Sequence, residues 1–337
     1  MGAASTISIA MCTCNGEAHL KEQLESILEQ TLLPNEVIVS DDASTDGTVE
    51  IVSSFKQKCP FPIKILVNKS RLGVCKNFEN AIRHCSGEII FLADQDDIWM
   101  PTKIATIMAA FESHPSCGYV FSNAELIDGQ GNDMGRDLWT SLEFDEKRQA
   151  RYGRGEQLCV MLRLFTLAYG MTMAFRAALS PRLMPFECRF FHAIVHDGWI
   201  SLFLSSLGAY GVALPSSLVK YRQHEKQLAS AGKRLGFLDL VTTARSDSTQ
   251  ANMEFAEVLD VLAARLEQLD QTNHSVSWAR EQLRAKATHL RARVHANSSH
   301  GVKRLKIVFR EAISGRYRRY SRSFKSIVKD LVQADQL

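Results

Sequence analysis

Residues 88–99 read Glu88-Ile-Ile-Phe-Leu-Ala-Asp-Gln-Asp-Asp-Ile-Trp99. The apolar run Ile89 to Ala93 leads directly into three carboxylates within four positions, Asp94, Asp96 and Asp97. An apolar run of this length without alternation is a strand covered on both faces. Three acids this close repel one another unless something cationic lies among them. Hard oxygen ligands select Mg2+ or Mn2+, which usually arrive with a phosphate. A merely solvated turn is the competing reading, and a buried strand running straight into the acids argues against it.

The same pattern extends upstream. Strands are expected at Ile7–Met11, Glu36–Ser40 and Ile63–Val67, and helices at 20–28, 45–55 and 74–84. Strands apolar on both faces, each followed by a helix, define an α/β fold with a mostly parallel sheet. Ligands in such sheets sit beyond the carboxyl ends of the strands. The second strand ends in Ser40-Asp41-Asp42-Ala43-Ser44-Thr45-Asp46-Gly47. Its acids can accept bonds from a base or ribose, or bind a metal. Ser44 or Asp46 is expected to cap the following helix, and Asp42 is read as a ligand residue.

Downstream, residues 128–157 are polar and glycine-rich and are expected to form a loop or lid. A strand returns at 169–175. The 22 residues from 198 to 219 carry no charge but hold Gly208, Gly211, Pro215 and five Ser. They read as a buried helix followed by a strand, not as a membrane span. From about 235 the pattern is helical. Phe255, Leu259, Leu262, Leu266 and Leu269 recur at steps of 3 and 4. Leu283, Ala287, Leu290 and Val294 repeat the rhythm after a break, so a helical hairpin is expected.

The 337 residues are 45% hydrophobic and 23% charged, which excludes a disordered, collagen-like or disulfide-stapled chain. All eight Cys precede residue 190 without a CxxC pair, as expected of a reducing, cytoplasmic compartment. No basic stretch followed by an apolar core opens the chain, so no signal peptide is expected. The formal net charge of +3 is unevenly spread: residues 1–230 carry −5 and residues 231–337 carry +8.

Two more stretches carry chemistry. His196-Asp197-Gly198-Trp199 opens the apolar helix. Its acid can cap the helix, whose dipole favours the charge. Tyr221-Arg222-Gln223-His224 follows the last strand; Arg222 can clamp a phosphate and His224 can ligate a metal or diphosphate. A polar turn without further role is the alternative.

As a set, Cys12-Thr13-Cys14-Asn15-Gly16, Val39–Asp46, Leu72-Gly73 with Lys76-Asn77, and Asp94–Trp99 resemble family 2 glycosyltransferases of the GT-A fold. The resemblance covers about residues 1–225. The Asp-Gln-Asp-Asp-Ile-Trp variant is similar to bacterial rhamnosyltransferase-like members that build O-antigen and other surface polysaccharides. Cys14 stands where the family usually has Tyr, and Glu225 and Gln227 depart from the Gly and Asn usual after the Tyr-Arg-Gln-His element.

The resemblance implies an inverting enzyme with a nucleotide-sugar donor. Thr13 and Asp42 would contact the nucleobase, Asn15 belongs to the same opening motif, and Asp94 would hold the ribose. Asp96, with His224, would ligate Mg2+ or Mn2+ at the donor diphosphate. Arg71, Lys76 and Arg222 would assist in binding the donor, and Asp197 would be the general base. The acceptor is expected to be a saccharide or a lipid-linked saccharide.

The division expected is a catalytic domain over 1–230, a helical hairpin over 231–300 that could mediate oligomers, and basic amphipathic helices over 301–337. Residues 300–329 hold ten Lys or Arg and one acid, Glu311. With no aromatic stacking platform or known nucleic-acid module, this tail points to an anionic membrane surface and a peripheral location. A tail that packs on the domain through its apolar faces is the plainer reading. Two rival functions remain: a GT-A-like nucleotidyltransferase, which would open with a Gly-rich loop absent here, and a non-catalytic scaffold.

Overall fold

The computed structural model describes residues 5–164, 167–187, 195–224, 246–269, 274–321 and 325–332. Nine strands form one sheet: β1 (Ile7–Thr13), β2 (Glu36–Asp41), β3 (Ile63–Val67), β4 (Ile89–Ala93), β5 (Ile98–Trp99), β6 (Cys117–Ile127), β7 (Asp133–Asp137), β8 (Met173–Arg176) and β9 (Tyr210–Arg222). Its order is β3-β2-β1-β4-β8-β6-β9-β5, with β7 beside β6. The helices of the sheet region are α1 (Leu20–Leu28), α2 (Thr48–Lys56), α3 (Val74–Arg83), α4 (Lys103–Ser113), α5 (Leu138–Ser141), α6 (Glu146–Gly153), α7 (Gln157–Leu164), α8 (Ser180–Leu183) and α9 (His196–Ser206). A helical region follows: α10 (Ser246–Leu269), α11 (His274–Asn297), α12 (Gly301–Ile313), α13 (Arg316–Tyr320) and α14 (Lys325–Val332).

The first half is parallel, as the apolar strands require: β1 pairs with β2 and β4, and β2 with β3. Every residue of β1 and β4 is buried. The second half is mixed. β8 runs antiparallel to both β4 and β6, and β5 antiparallel to β9. The last pairing matters most, because it sets Ile98 opposite Lys220 and so brings the end of β9 beside the acidic turn.

Residues 128–157 are a folded subregion, not the expected loop or lid. β7 pairs with β6, and α5 and α6 follow. The Trp139–Phe144, Phe144–Tyr152 and Phe121–Tyr152 pairs pack edge-on with centroids 4.8–5.9 Å apart, and Trp139 and Phe144 lie tilted against Phe121. These aromatic residues anchor the segment, although polar and glycine neighbours dilute them in the sequence.

The expected buried helix and strand are α9 and β9. Among the described residues, no helix is long and apolar enough to cross a membrane. α10 and α11 pack through Leu259, Leu262, Leu266, Leu283, Ala287 and Leu290 of the expected positions, with Leu269 left exposed, and their core is continuous with that of the sheet. Arg265 of α10 lies over the Trp199 and Phe203 rings of α9 and donates to the carbonyls of Arg182 and Pro185. Leu259, Leu262 and Leu266 of the hairpin are therefore buried within this chain.

Candidate active site

The carboxyl ends of β1, β2 and β4 lie side by side, and hydrogen bonds fasten their loops to one another. Thr13 Oγ1 donates to Asp41 Oδ2 at 2.8 Å. Asn15, at a φ of 50°, receives Thr45 N on its Oδ1 and donates its own N–H to Ser44 Oγ. Asp46, rather than Ser44, accepts from the N–H of Thr48 at the start of α2. Gln95 bonds the backbone of Cys14 in both directions, accepting from its N–H at 2.8 Å and donating to its carbonyl at 3.2 Å. The Gln95 side chain occupies the space beside Gly16, where a Cβ would lie 2.3 Å from its Oε1.

Asp42 is nearly fully buried and accepts from Leu72 N at 2.6 Å, Gly73 N at 2.9 Å and Asn68 Nδ2 at 3.1 Å. It pins the turn before α3, whose Gly73 has a φ of 82°, a conformation glycine adopts without steric cost. Arg71 is exposed on that turn. Lys76 is held by Glu79 at 2.9 Å, and Glu79 also accepts from Arg83 and from Phe186 N.

Beyond β4, Asp94 lies within electrostatic range of Asp96 and Asp197, and burial together with these like charges pushes its carboxyl up to about 8. Asp96 Oδ2 is 2.9 Å from His224 Nε2. The ring of His19 lies 5.5 Å from that of His224. Among the described residues, no three His, Cys, Asp or Glu side chains form a closed metal cage. An acid–imidazole pair beside further like-charged carboxylates is nonetheless a donor set that a hard divalent ion suits when phosphate oxygens supply its remaining ligands.

Arg222 corrects an expectation. Read as a phosphate clamp, it is instead almost wholly buried and turned inward. Its guanidinium donates to the Asp96 carbonyl at 2.9 Å, to the Gly129 carbonyl and to Glu22, while its backbone N–H reaches Asp97 Oδ1 at 3.1 Å. Arg222 thus holds the acidic turn from behind. The residues after His224 lie outside the described residues.

Asp197 sits in the first turn of α9, accepting from Gly170 N at 2.8 Å and from Gly198 N at 2.6 Å. Burial outweighs these bonds and raises its carboxyl to about 6. Its neighbour His196 stacks on Phe78 with centroids 3.7 Å apart, and burial depresses its ring to about 3, so it is neutral near pH 7. Gly170 must be glycine for contact reasons: a Cβ there would lie 2.6 Å from His196 Nε2.

Sequence reasoning assigned no role to Lys103 or to Asp97 individually. Both are completely buried. Lys103 Nζ lies over the Trp99 ring at 3.3 Å and donates to the Met171 carbonyl. Burial lowers its pKa, while Asp97 and Asp94 pull it back up. It sits behind the acidic turn, where its electrostatic pull lowers the carboxyls of Asp94 and Asp97 against the effect of their burial. The available signal was a lysine in the first turn of an apolar helix, where the dipole disfavours it.

Residues 8–181 match the family model described as Glycosyl transferase family 2. The chain belongs to glycosyltransferase family 2. This member is 30% identical over 127 residues to the uncharacterized protein Rv1520 of Mycobacterium tuberculosis, an alignment covering 37% of each chain. It is 41% identical over 98 residues to the dTDP-rhamnosyl transferase RfbG of Shigella flexneri, covering 28% of this chain and 34% of that one. The alignment therefore spans only about a third of these relatives' lengths. The crystal structure of S. aureus TarS 1-349 superposes with a TM-score of 0.57 at 16% identity, covering 97% of this chain and 87% of that one. That likeness shows the GT-A fold.

Proposed function

We propose that the chain is an inverting glycosyltransferase that moves a sugar from a nucleotide-diphosphate donor to a hydroxyl of a saccharide or lipid-linked acceptor. The observation that carries this reading is the 2.8 Å hydrogen bond from Gly170 N to Asp197, which holds that carboxylate just ahead of β8, the strand paired antiparallel with β4 and so beside the end that leads into Asp94. A base held near pH 6 beside a donor-binding acidic turn is what direct displacement at an anomeric carbon requires.

In this reading Asp197 accepts the acceptor's hydroxyl proton as that oxygen attacks the anomeric carbon. The bond from that carbon to the diphosphate oxygen breaks, and the nucleoside diphosphate leaves with the electron pair. Asp96 and His224 would hold Mg2+ or Mn2+, which, when bound, neutralises the diphosphate's charge. Thr13, Asn15, Asp42 and Asp94 frame the nucleoside, with Asp42 and Gln95 keeping its loops in place. Arg71 is exposed and available to the phosphates, whereas Arg222 positions the acidic turn. Likeness to the dTDP-rhamnosyl transferase RfbG supports a rhamnosyl group as the sugar, and the resemblance carried by Asp94–Trp99 supports a surface polysaccharide as the product.

Nucleoside diphosphate release from a panel of nucleotide sugars, with and without Mn2+ and with saccharide acceptors, tests this. Release enhanced by acceptor and lost in Asp197→Asn is expected. Formation of nucleotide sugar from sugar phosphate and nucleoside triphosphate would support the nucleotidyltransferase instead.

A further inference from the structure

The tail buries its described acids, Glu311 and Asp330, and leaves apolar side chains outside. Asp330 of α14 is completely buried and receives Arg293 of α11 at 2.6 Å and the Tyr317 hydroxyl of α13 at 2.6 Å. Arg304 of α12 reaches the Asp330 carbonyl at 2.8 Å. Beside it, buried His289 of α11 bonds Glu311 of α12 at 2.8 Å and Ser321 at 2.9 Å, and Arg316 closes on the same Glu311. Val308 and Tyr317 add a small apolar contact with Ala296. These polar bonds account for how α12 and α14 attach to α11, and they leave the helices' main apolar stripes unused.

On α12 the unused stripe is Val302, Leu305, Phe309 and Ile313, at steps of 3, 4 and 4 and therefore on one face. Phe309 and Ile313 are 68% and 71% exposed. On α14, Val328, Leu331 and Val332 are also exposed. An apolar groove of about 420 Å³ runs between the two helices, lined by Leu305, Phe309, Ile327 and Leu331. Exposed Lys303, Lys306 and Arg310 flank the stripe on α12, exposed Lys325 and Lys329 flank it on α14, and Arg318 and Arg319 are exposed between them.

We propose that this face is a docking surface for an anionic lipid bilayer, with α12 and α14 lying in the plane of the interface. The charge pattern decides among occupants. A second copy of the chain meeting face to face would set seven exposed cations against seven more, a like-charge juxtaposition that disfavours association. An anionic lipid surface complements those cations while the stripe is buried among the acyl chains, the arrangement of in-plane amphipathic helices. The structure thereby separates two roles that the sequence presented as alternatives. One side of the tail packs on the protein through buried polar groups, and the other is left to the membrane. No residue of this surface belongs to the candidate active site, so the inference does not depend on the glycosyltransferase reading.

Flotation with phosphatidylcholine vesicles, with and without a minority of phosphatidylglycerol, tests the proposal on the full chain. The wild type is expected to float with the anionic vesicles and weakly with the neutral ones. Phe309→Glu with Ile313→Glu, both at exposed sites, is expected to lower partitioning at least about tenfold. Lys306→Gln, Arg310→Gln and Lys329→Gln are expected to lower it roughly fivefold per charge on anionic vesicles only. Nucleotide-sugar turnover and circular dichroism, unchanged in these variants, report that the fold is intact. Absence of wild-type flotation, or equal flotation of the Phe309/Ile313 variant, overturns the proposal. So does light scattering that finds a wild-type dimer dissolved by the same two substitutions, which would make a second copy the occupant.

Discussion

Asp197→Asn separates the charge of the candidate base from its shape. Burial raises the Asp197 carboxyl from 3.8 to about 6. The gap corresponds to about 3 kcal/mol of folding free energy. The sign follows from the direction of the shift: the folded state holds the proton more tightly than the unfolded chain. The penalty is nearly absent at pH 4, grows as pH rises, and is complete above the folded value of about 6. Asn never bears it. Asn does place an NH2 opposite one of the two backbone donors, Gly170 N or Gly198 N, at a cost of about 1–3 kcal/mol. That cost is independent of pH. The variant's stability relative to wild type should therefore rise by about 2 kcal/mol between pH 4 and pH 7, as measured by urea unfolding at both values. Turnover should fall by roughly 10²–10⁴ with donor affinity retained. The wild-type rate should climb as pH passes through about 6. A flat stability difference across that range, together with near-normal turnover, would refute both the perturbed carboxylate and its role as the base.

Asp96→Ala should remove the Mn2+ dependence of donor binding, read by calorimetry, while leaving the melting temperature near that of the wild type because the site is partly exposed; unchanged metal dependence would move the metal elsewhere. Gly170→Ala should push on His196 and shift the N–H that holds Asp197, lowering turnover up to about 100-fold with little change in donor affinity, since displacements near 1 Å are that damaging. Lys103→Met should leave the Met171 carbonyl without its donor and remove the pull on Asp97, destabilising the protein by about 1–3 kcal/mol, and adding Asp97→Asn should change that loss because the two groups are coupled. Equal and additive losses in a denaturation cycle would mean that the two groups do not sense each other.

Local order was legible because it is written at short range. Apolar runs specify buried strands, 3.6-residue spacing specifies the helices, and an acid cluster after a strand marks the ligand edge of the sheet. Ile63–Val67 and the start of α3 fall where periodicity put them. The segment 128–157 was misread because its five buried apolar anchors, Leu138, Trp139, Leu142, Phe144 and Tyr152, are spread among mostly polar residues, with the aromatic ones converging on Phe121. Composition reports average polarity, whereas packing depends on which few side chains converge.

By itself the sequence determined the parallel half of the sheet, the acidic turn and the residue types gathered around it. The tertiary structure decided which of those residues meet. The antiparallel pairing of β5 with β9 delivers His224 to Asp96 and turns Arg222 inward to hold the turn, although both looked equally suited to face a ligand. The path through β8 and α9 brings Asp197 within range of Asp94. In the tail, the helical period revealed two faces, but only the packing on α11 chose the polar one for the interior, because buried Asp330 and Glu311 find arginine and histidine partners there. Contacts between residues far apart in the chain arise from chain reversals and side-chain partners that no local pattern encodes, so they become visible only when the chain is folded.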